Sequence, residues 1–144
     1  MHQLIEHRLT RFLARSPDEV FLRREFVRLG SPAQVSRVLK RFITFGVLVR
    51  IGVGVYARAK KSVLTGNPIP VRPIDVLAPL ALRKLGVAVG QSWLMREYTA
   101  GRSTQIPAGL VLHVGKRRIT RKLGFGNRRV QYEGGSGFRQ KPGT

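Results

Sequence analysis

The chain has 144 residues, of which 27 are Lys or Arg and seven are Asp or Glu, so its net charge at pH 7 is +20. Its 42% hydrophobic content is enough for a packed interior and excludes a disordered polybasic tail. A compact state with this charge repels itself unless a polyanion neutralises it, so DNA or RNA is the expected partner. The absence of cysteine excludes disulfides, thiol catalysis and cysteine-ligated zinc.

Apolar runs are short throughout the chain, and none approaches the length of a membrane-spanning helix. Glu6 and Arg8 follow soon after Met1, where a signal peptide would have its apolar core. We therefore expect a soluble, cytoplasmic protein with no membrane partner.

The first 30 residues predict a helix, a short strand and a second helix. Residues 3–14 carry apolar side chains at helical spacing, with charged residues between them. Pro17 ends this helix, and Val20-Phe21 is expected to form a short strand that pairs with a later hairpin. The second helix is expected over Arg23–Leu29, with Gly30 at its end.

The segment 31–57 predicts a capped basic helix that runs directly into a β-hairpin. Ser31 suits the cap, Pro32 suits the first turn and Gly46 suits the end of this helix. Two β-prone runs, 47–51 and 55–57, follow it. The apolar residues at the spacing of one helix face are Val35, Val38, Leu39, Phe42 and Ile43. This order is the one in which a winged helix-turn-helix presents its recognition helix and wing.

Acidic residues are absent between Glu25 and Asp75, an interval with nine Lys or Arg. Polar residues near the N-terminal half of a recognition helix reach base edges, and Arg offers two donors that match guanine. The predicted helix contacts are Ser31, Gln34, Ser36, Arg37, Lys40 and Arg41. The predicted wing contacts are Arg50, Gly52, Val53, Gly54 and Arg58, from which charged flanks reach phosphate or the minor groove. A solvated basic helix face and a plain hairpin with charged edges are the alternatives.

Beyond the hairpin the sequence predicts a linker and a small second domain. Residues 61–71 are rich in proline, so they are expected to be semi-extended. Helices are expected from Ile74 or Asp75 to Leu85 and over 91–100. Short strands are expected over 110–114, 117–121 and 128–132.

The predicted fold class is α+β, with an N-terminal winged helix-turn-helix followed by a small α/β C-terminal part. The predicted boundaries are a DNA-binding domain over 1–60, a linker over 61–71 and a C-terminal domain over 72–133. The Gly-rich residues 134–144 are expected to be a disordered tail.

A second basic patch lies near the C-terminus and contains no acidic residue between its members. Its members are Lys116, Arg117, Arg118, Arg121, Lys122, Arg128 and Arg129. Apolar residues interrupt it at strand spacing, so one side of a small sheet can be buried while the other remains cationic. The patch is interpreted as a second phosphate-contact surface, a docking site for an acidic protein, or a solubilising surface.

Catalytic and metal-binding patterns find little support in this sequence. The histidines are far apart or badly spaced, since His2 and His7 are five residues apart rather than the four that face a metal together. The acidic residues are scattered, and no catalytic carboxylate pair is apparent. We expect no metal, no cofactor and no enzymatic activity.

Several motifs resemble those of small prokaryotic proteins allied to the AbiEi antitoxins of type IV toxin–antitoxin systems. The most specific is the wing sequence Arg-Ile-Gly-Val-Gly-Val-Tyr-Ala at 50–57. The other motifs are Val20-Phe21-Leu22-Arg23, Leu29-Gly30-Ser31, Gln34-Val35 with Arg37-Val38-Leu39, Leu48-Val49 before the wing, Leu64-Thr65-Gly66, Pro68-Ile69-Pro70 and the run from Tyr98 to Pro107. The resemblance extends to about Glu133. It implies an N-terminal DNA-binding domain that often represses its own operon, and a C-terminal part responsible for antitoxicity where a toxin exists. The toxin in such systems resembles a nucleotidyltransferase.

The sequence thus favours a double-stranded DNA-binding protein that acts as an autoregulatory repressor or an antitoxin-like regulator. Direct or functional pairing with a nucleotidyltransferase-like toxin, and binding to DNA as a homodimer, are open options. The alternatives are an RNA- or ribosome-associated basic protein and a protein inhibitor that docks on a toxin.

Overall fold

The computed structural model describes residues 2–91, 101, 110–115, 119, 121–126 and 128–133. The chain divides into two compact units, Met1–Pro73 and Ile74–Thr144. The described part has three α-helices and two sheets, so the predicted α+β class is confirmed.

The first unit builds its sheet around one long central strand. The elements are α1 (His2–Arg15), β1 (Val20–Leu22), a 3-10 helix (Arg23–Phe26), α2 (Pro32–Thr44), β2 (Leu48–Gly52), β3 (Val55–Lys61) and β4 (Pro68–Pro70). Strand β3 pairs antiparallel with β1, β2 and β4. Because β2 and β3 are joined by only Val53 and Gly54, they form a tight hairpin directly after α2.

Helix α2 begins and ends where its sequence predicts. The Ser31 hydroxyl accepts a hydrogen bond from the Gln34 backbone N–H (3.2 Å), and the Gln34 side-chain oxygen accepts one from the Ser31 N–H (3.0 Å). This reciprocal cap satisfies two backbone groups that the first turn leaves without helical partners. After Phe45 the chain leaves the helix at Gly46, whose φ of +78° suits a residue without a Cβ.

The core of the first unit lies between α1, α2 and the sheet. Leu9 of α1, Val38 of α2 and Phe21 of β1 are fully buried within one cluster. Two aromatic rings reinforce this cluster, because Phe12 meets Phe26 edge-on with ring centroids 5.4 Å apart. Burial of each such large apolar side chain stabilises the fold by about 1.5–3 kcal/mol.

The predicted second helix over Arg23–Leu29 is wrong, because this segment forms only a 3-10 helix over Arg23–Phe26. The Arg23 N–H donates to the Gly54 carbonyl (2.8 Å), so the strand-like pairing of β1 continues into the first residue of this helix. At the other end, Gly30 packs so closely on Ile5 that a Cβ there would lie 2.5 Å from the Ile5 side chain.

The predicted linker over 61–71 is part of the first sheet instead. Strand β3 extends to Lys61 and pairs with β4 through Ala59–Pro70, Lys60–Ile69 and Lys61–Pro68. The Ser62 N–H donates to the Asn67 carbonyl (2.8 Å) and closes the connecting turn. Prolines are tolerated here because β4 is short and lies at an edge, so a missing N–H interrupts no ladder on its far side.

The second unit packs a helix against a small mixed sheet. Its elements are α3 (Ile74–Lys84), β5 (Gly90–Gln91), β6 (Leu110–His113), β7 (Gly124–Phe125) and β8 (Arg128–Glu133). The strand order is β5-β6-β8-β7, with β6 and β8 parallel and the other pairs antiparallel. Leu77, Ala81, Leu82 and Leu123 are almost fully buried in this unit.

The predicted helix from Ile74 and the predicted strands beginning at Leu110 and Arg128 are therefore confirmed. The helix predicted over 91–100, the strand predicted over 117–121 and the tail 134–144 fall largely or wholly outside the described residues. Within the described ranges, no helix combines the length and hydropathy that a membrane crossing requires.

Candidate nucleic-acid interface

One side of α2 is core and the opposite side faces solvent. Val35, Val38, Leu39 and Phe42 are buried. The residues opposite them on a 3.6-residue turn are all exposed, and we call them the outer face of α2: Ala33, Arg37, Lys40 and Thr44. Capping at Ser31 and packing beneath make this face a rigid platform for its two cations.

Arg37 and Lys40 keep their donors for a ligand. Neither side chain makes a hydrogen bond or an ion pair with any other described residue, although both lie on the capped helix α2. A guanidinium in this position can donate two parallel hydrogen bonds to the O6 and N7 atoms of guanine, whereas an ammonium suits a phosphate.

Arg41 lies at the side of α2 that faces α1, where it forms an ion pair with Glu6. Its guanidinium also lies over the exposed ring of Phe45, 5.4 Å from the ring centroid. Partly exposed ion pairs contribute only about 0–1 kcal/mol, so a phosphate can compete with Glu6 for this side chain. Arg41 therefore stands beside the outer face rather than on it.

Two predicted contacts, Ser31 and Gln34, are engaged in capping α2. The Ser31 hydroxyl and the Gln34 amide oxygen accept the two backbone hydrogen bonds of the cap. Both residues thus hold the helix N-terminus, and their assignment as DNA contacts stays a prediction.

Arg23 is a basic residue at this surface that the sequence reasoning missed. Its Nη2 atom donates to the Pro32 carbonyl (2.9 Å) and to the Ser36 hydroxyl (3.1 Å), while its backbone is bonded to Gly54. Arg23 thus ties the first turn of α2 to the tip of the β2–β3 hairpin, and it occupies the hydroxyl of the predicted contact Ser36. The signal in the sequence was a pair of arginines immediately after the short strand Val20–Leu22.

The hairpin tip is small and uncharged. Gly54 has a φ of +69°, which allows the two-residue turn, and Val53 at the apex is 72% exposed. Arg50 lies exposed on β2 and its Nε donates to the Gly52 carbonyl (3.3 Å), so this guanidinium folds back towards the tip. The wing residues Arg50, Gly52, Val53 and Gly54 therefore lie together as the sequence predicts.

The guanidinium of Arg58, a residue predicted as a wing contact, is a structural bridge. Nε donates to the Asp18 carbonyl (2.9 Å), and Nη2 donates to the carbonyls of Leu13 (2.8 Å) and Ser16 (2.7 Å). It also lies over the Phe21 ring at 5.0 Å. A cation at the C-terminal end of α1 satisfies carbonyls there and interacts favourably with the helix dipole. These bonds leave Arg58 poorly available for phosphate.

In the second basic patch, Arg128 is neutralised by a carboxylate. Its Nε and Nη2 atoms donate to the two oxygens of Asp75, at 3.0 Å and 2.6 Å. The hydrogen bond to Asp75, helped by the charge of that carboxylate, raises the pKa of Arg128. Lys122, Arg121 and Arg129 are exposed on the same unit. The predicted members Lys116, Arg117 and Arg118 lie outside the described residues.

Tyr132 packs beside this patch and donates its hydroxyl to the Arg121 carbonyl (2.7 Å). Burial raises the pKa of Tyr132, and the positive charge of Arg121 acts in the opposite direction. Part of the patch is thus already engaged in bonds within the second unit, those of Arg128 to Asp75 and of Tyr132 to the backbone of Arg121.

No three histidine, cysteine or carboxylate side chains in the described ranges are placed to hold one metal ion. The fold and the surface together define a small basic α+β protein with a helix–hairpin unit. Residues 9–137 match the model of a family of unknown function, DUF6088, and the chain belongs to that family. No curated protein and no solved structure matches the chain.

Proposed function

We propose that the chain is a sequence-dependent double-stranded DNA-binding protein and that its first unit acts as a winged helix-turn-helix domain. The observation that carries the proposal is the outer face of α2, where Arg37 and Lys40 stand exposed and unpaired with any described residue, on a helix that leads directly into a short hairpin. The interval from residue 26 to 74 has no acidic side chain to repel a phosphate backbone.

In this proposal α2 is the recognition helix and the β2–β3 hairpin is the wing. The 3-10 helix Arg23–Phe26 takes the place of the preceding helix of the motif. Arg37 reads a base edge, Lys40 contacts phosphate, and Arg50 follows the backbone alongside the hairpin. Arg23 sets the angle between helix and hairpin through its bonds to Pro32 and Ser36.

An exposed helix face favours duplex DNA over duplex RNA as the partner. The major groove of B-DNA admits an α-helix, whereas the major groove of A-form RNA is too narrow for one. Proteins that bind single-stranded RNA stack its bases on exposed aromatic side chains of a sheet or groove. Beside the outer face of α2 lies one exposed ring, Phe45, and the Arg41 guanidinium already lies over it, so the face offers no row of rings on which successive bases could stack.

The resemblance to AbiEi antitoxins supports a regulatory role for this DNA binding. We propose an autoregulatory repressor or an antitoxin-like regulator of a type IV toxin–antitoxin system, in which the second unit carries the antitoxin function. A nucleotidyltransferase-like toxin is the functional partner under this proposal, and homodimerisation on DNA would produce a repeated or palindromic operator.

The test is binding of the full chain to the DNA upstream of its own gene, compared with a scrambled duplex and a structured RNA at several salt concentrations. If six to eight Lys or Arg contact phosphates, log K should fall against log salt with a slope of about −5 to −7. The upstream duplex should bind tightest. A slope near −1, or equal affinity for RNA and both duplexes, would contradict the proposal.

A further inference from the structure

Ala33 is the apolar member of the outer face of α2, and the proposed function gives it no role. The other members of that face, Arg37, Lys40 and Thr44, all carry polar groups. Ala33 is exposed in the first turn of α2, one helical turn before Arg37. Each Cα–Cβ bond of an α-helix tilts towards the N-terminus, so the Ala33 methyl group points towards the end of α2 that meets base edges in the proposed complex.

Four hydrogen-bond acceptors around Ala33 are already engaged within the protein. The Ser31 hydroxyl and the Gln34 amide oxygen accept the two bonds of the helix cap. The Pro32 carbonyl and the Ser36 hydroxyl accept from the guanidinium of Arg23. These bonds hold the backbone that carries Ala33. Ala33 itself has no polar side-chain atom, so its side chain offers a partner van der Waals contact alone.

A methyl group held at a base edge distinguishes thymine from the other bases. Thymine presents its C5-methyl group in the major groove, whereas cytosine has a hydrogen atom at that position. An alanine side chain that packs on this methyl group removes apolar surface of both partners from water. Guanine and adenine offer only polar atoms at the same edge, which Ala33 cannot bond.

The distance between Ala33 and Arg37 sets the spacing of the two bases that they contact. Four residues of α-helix rise about 6 Å along the helix axis. Successive base pairs of a duplex are about 3.4 Å apart. If α2 lies along the major groove, the bases that meet these two side chains are therefore about two base pairs apart.

We propose that Ala33 is a second specificity-determining residue of α2, which contacts the C5-methyl group of a thymine about two base pairs from the guanine that Arg37 contacts. The proposal rests on the proposed function, because it requires α2 to be the recognition helix of a duplex-binding domain. It adds the identity of a base and the atom by which that base is distinguished.

The experiment replaces the thymines of the upstream duplex by uracil, one at a time, and measures binding of the full chain to each duplex. Uracil pairs as thymine does and lacks only the methyl group. One replacement should weaken binding by about threefold to tenfold, as expected for the loss of one buried methyl contact. A parallel scan with 7-deazaguanine, which lacks the N7 acceptor, locates the guanine that Arg37 contacts.

The decisive variant is Ala33→Gly, which deletes the matching methyl group from the protein. It should bind the thymine and uracil duplexes equally, with about the affinity that the unmodified chain has for the uracil duplex. Both duplexes meet the same folded fraction of the variant, so the ratio of the two affinities is independent of any loss of stability. The matched control is Ala14→Gly, which removes a methyl group from an exposed position of α1 and should keep the preference for thymine.

The outcomes separate this proposal from the proposed function. If the unmodified chain binds the upstream and the scrambled duplex equally, the proposed function fails and Ala33 has no base to contact. If it prefers the upstream duplex but no uracil replacement weakens binding, the role of Ala33 is overturned and the proposed function stands. A preference for thymine that persists in Ala33→Gly, or a sensitive thymine more than about three base pairs from the guanine of Arg37, would also overturn it.

Discussion

The outer face of α2 and the second basic patch have the same kind of charge but different surroundings. Arg37 and Lys40 stand on a capped helix, neither forms an ion pair with another described residue, and the interval 26–74 has no acid. In the second patch Arg128 is bound to Asp75 by two hydrogen bonds, and Tyr132 is bonded to the backbone of Arg121. Charge counted along the sequence does not distinguish these two cases.

The difference indicates which cations are available to a polyanion. A cation already bonded to a carboxylate must give up that contact before it gains a phosphate, so its net contribution to affinity is reduced. A cation held in place by its helix but without a partner gives up no such contact. Under the proposed function, the outer face of α2 therefore provides most of the specificity, and the second patch provides at most sequence-independent affinity.

The largest effect should come from removing the support beneath the outer face. Leu39 lies on the core side of α2 and is almost fully buried. Leu39→Ala should lower the free energy of unfolding by about 2–5 kcal/mol, because it removes apolar contacts and leaves a cavity. Chemical denaturation measures this value, and DNA binding should fall with the folded fraction. Arg37→Ala on the opposite side of the same helix should leave stability within about 0.5 kcal/mol. Equal destabilisation by both variants would contradict the two-sided description of α2.

A second effect separates two arginines that the sequence groups together in the wing. Arg58→Ala removes the donor for three backbone carbonyls and should lower stability by about 1–3 kcal/mol. Arg58→Lys should restore little of it, because one ammonium cannot reproduce the planar fork. Arg50→Ala should be close to neutral for stability and should weaken DNA binding. If Arg58→Ala left the melting temperature unchanged and only weakened DNA binding, Arg58 would be a wing contact after all.

The second patch should show a smaller and less selective effect. Lys122→Ala with Arg129→Ala should weaken the upstream and the scrambled duplex alike, by about 2- to 10-fold at low salt, because phosphate contacts carry little sequence information. Competition binding to both duplexes measures the two losses. A variant that binds all DNA normally but fails to protect cells from a cognate toxin would identify the patch as a protein-docking surface.

The smallest effect concerns Tyr132 at alkaline pH. Burial raises the pKa of Tyr132 above the ordinary value of 10.0, so the folded chain holds this proton more tightly than the unfolded chain. The resulting stability is fully present below pH 10 and is lost as the pH rises through the raised pKa. In an absorbance titration, one of the three tyrosines should ionise later in the folded chain than in urea, and Tyr132→Phe should remove that late step. If the step that Tyr132→Phe removes lay at the same pH in the folded chain as in urea, the raised pKa of Tyr132 would be contradicted.

The sequence predicted best where one local signal agreed with the next. The cap at Ser31, the apolar row from Val35 to Phe42 and the turn at Gly46 all point to the same helix, and α2 has those bounds. The 3-10 helix after Leu22 was not foreseen, and the two contacts that flank it, the bond of Arg23 to Gly54 and the packing of Gly30 on Ile5, do not show in local pattern.

The partners of polar side chains were the hardest feature to predict. Arg58 follows the wing in sequence, but its role comes from the loop after α1, some 40 residues earlier in the chain. Prolines 68 and 70 suggested a linker, although strand β3 offered them an edge position where they fit. For Arg58 the deciding contacts are distant in sequence, and local pattern has no access to them. The β3–β4 pairing joins near neighbours, such as Lys61 and Pro68, so there the prolines masked a hairpin that is local in sequence.

The most direct test of the proposed DNA-reading surface is Arg37→Ala, measured on the upstream duplex and on a scrambled duplex of the same length. If Arg37 donates two hydrogen bonds to a guanine, the variant should lose about 1–3 kcal/mol on the upstream site and relax the preference at that base pair. It should lose far less on the scrambled duplex, with an unchanged melting temperature. Arg37→Lys should recover the scrambled affinity but only part of the specificity. Equal weakening on both duplexes would make Arg37 a phosphate contact, and no loss on either would contradict the assignment of α2 as the recognition helix.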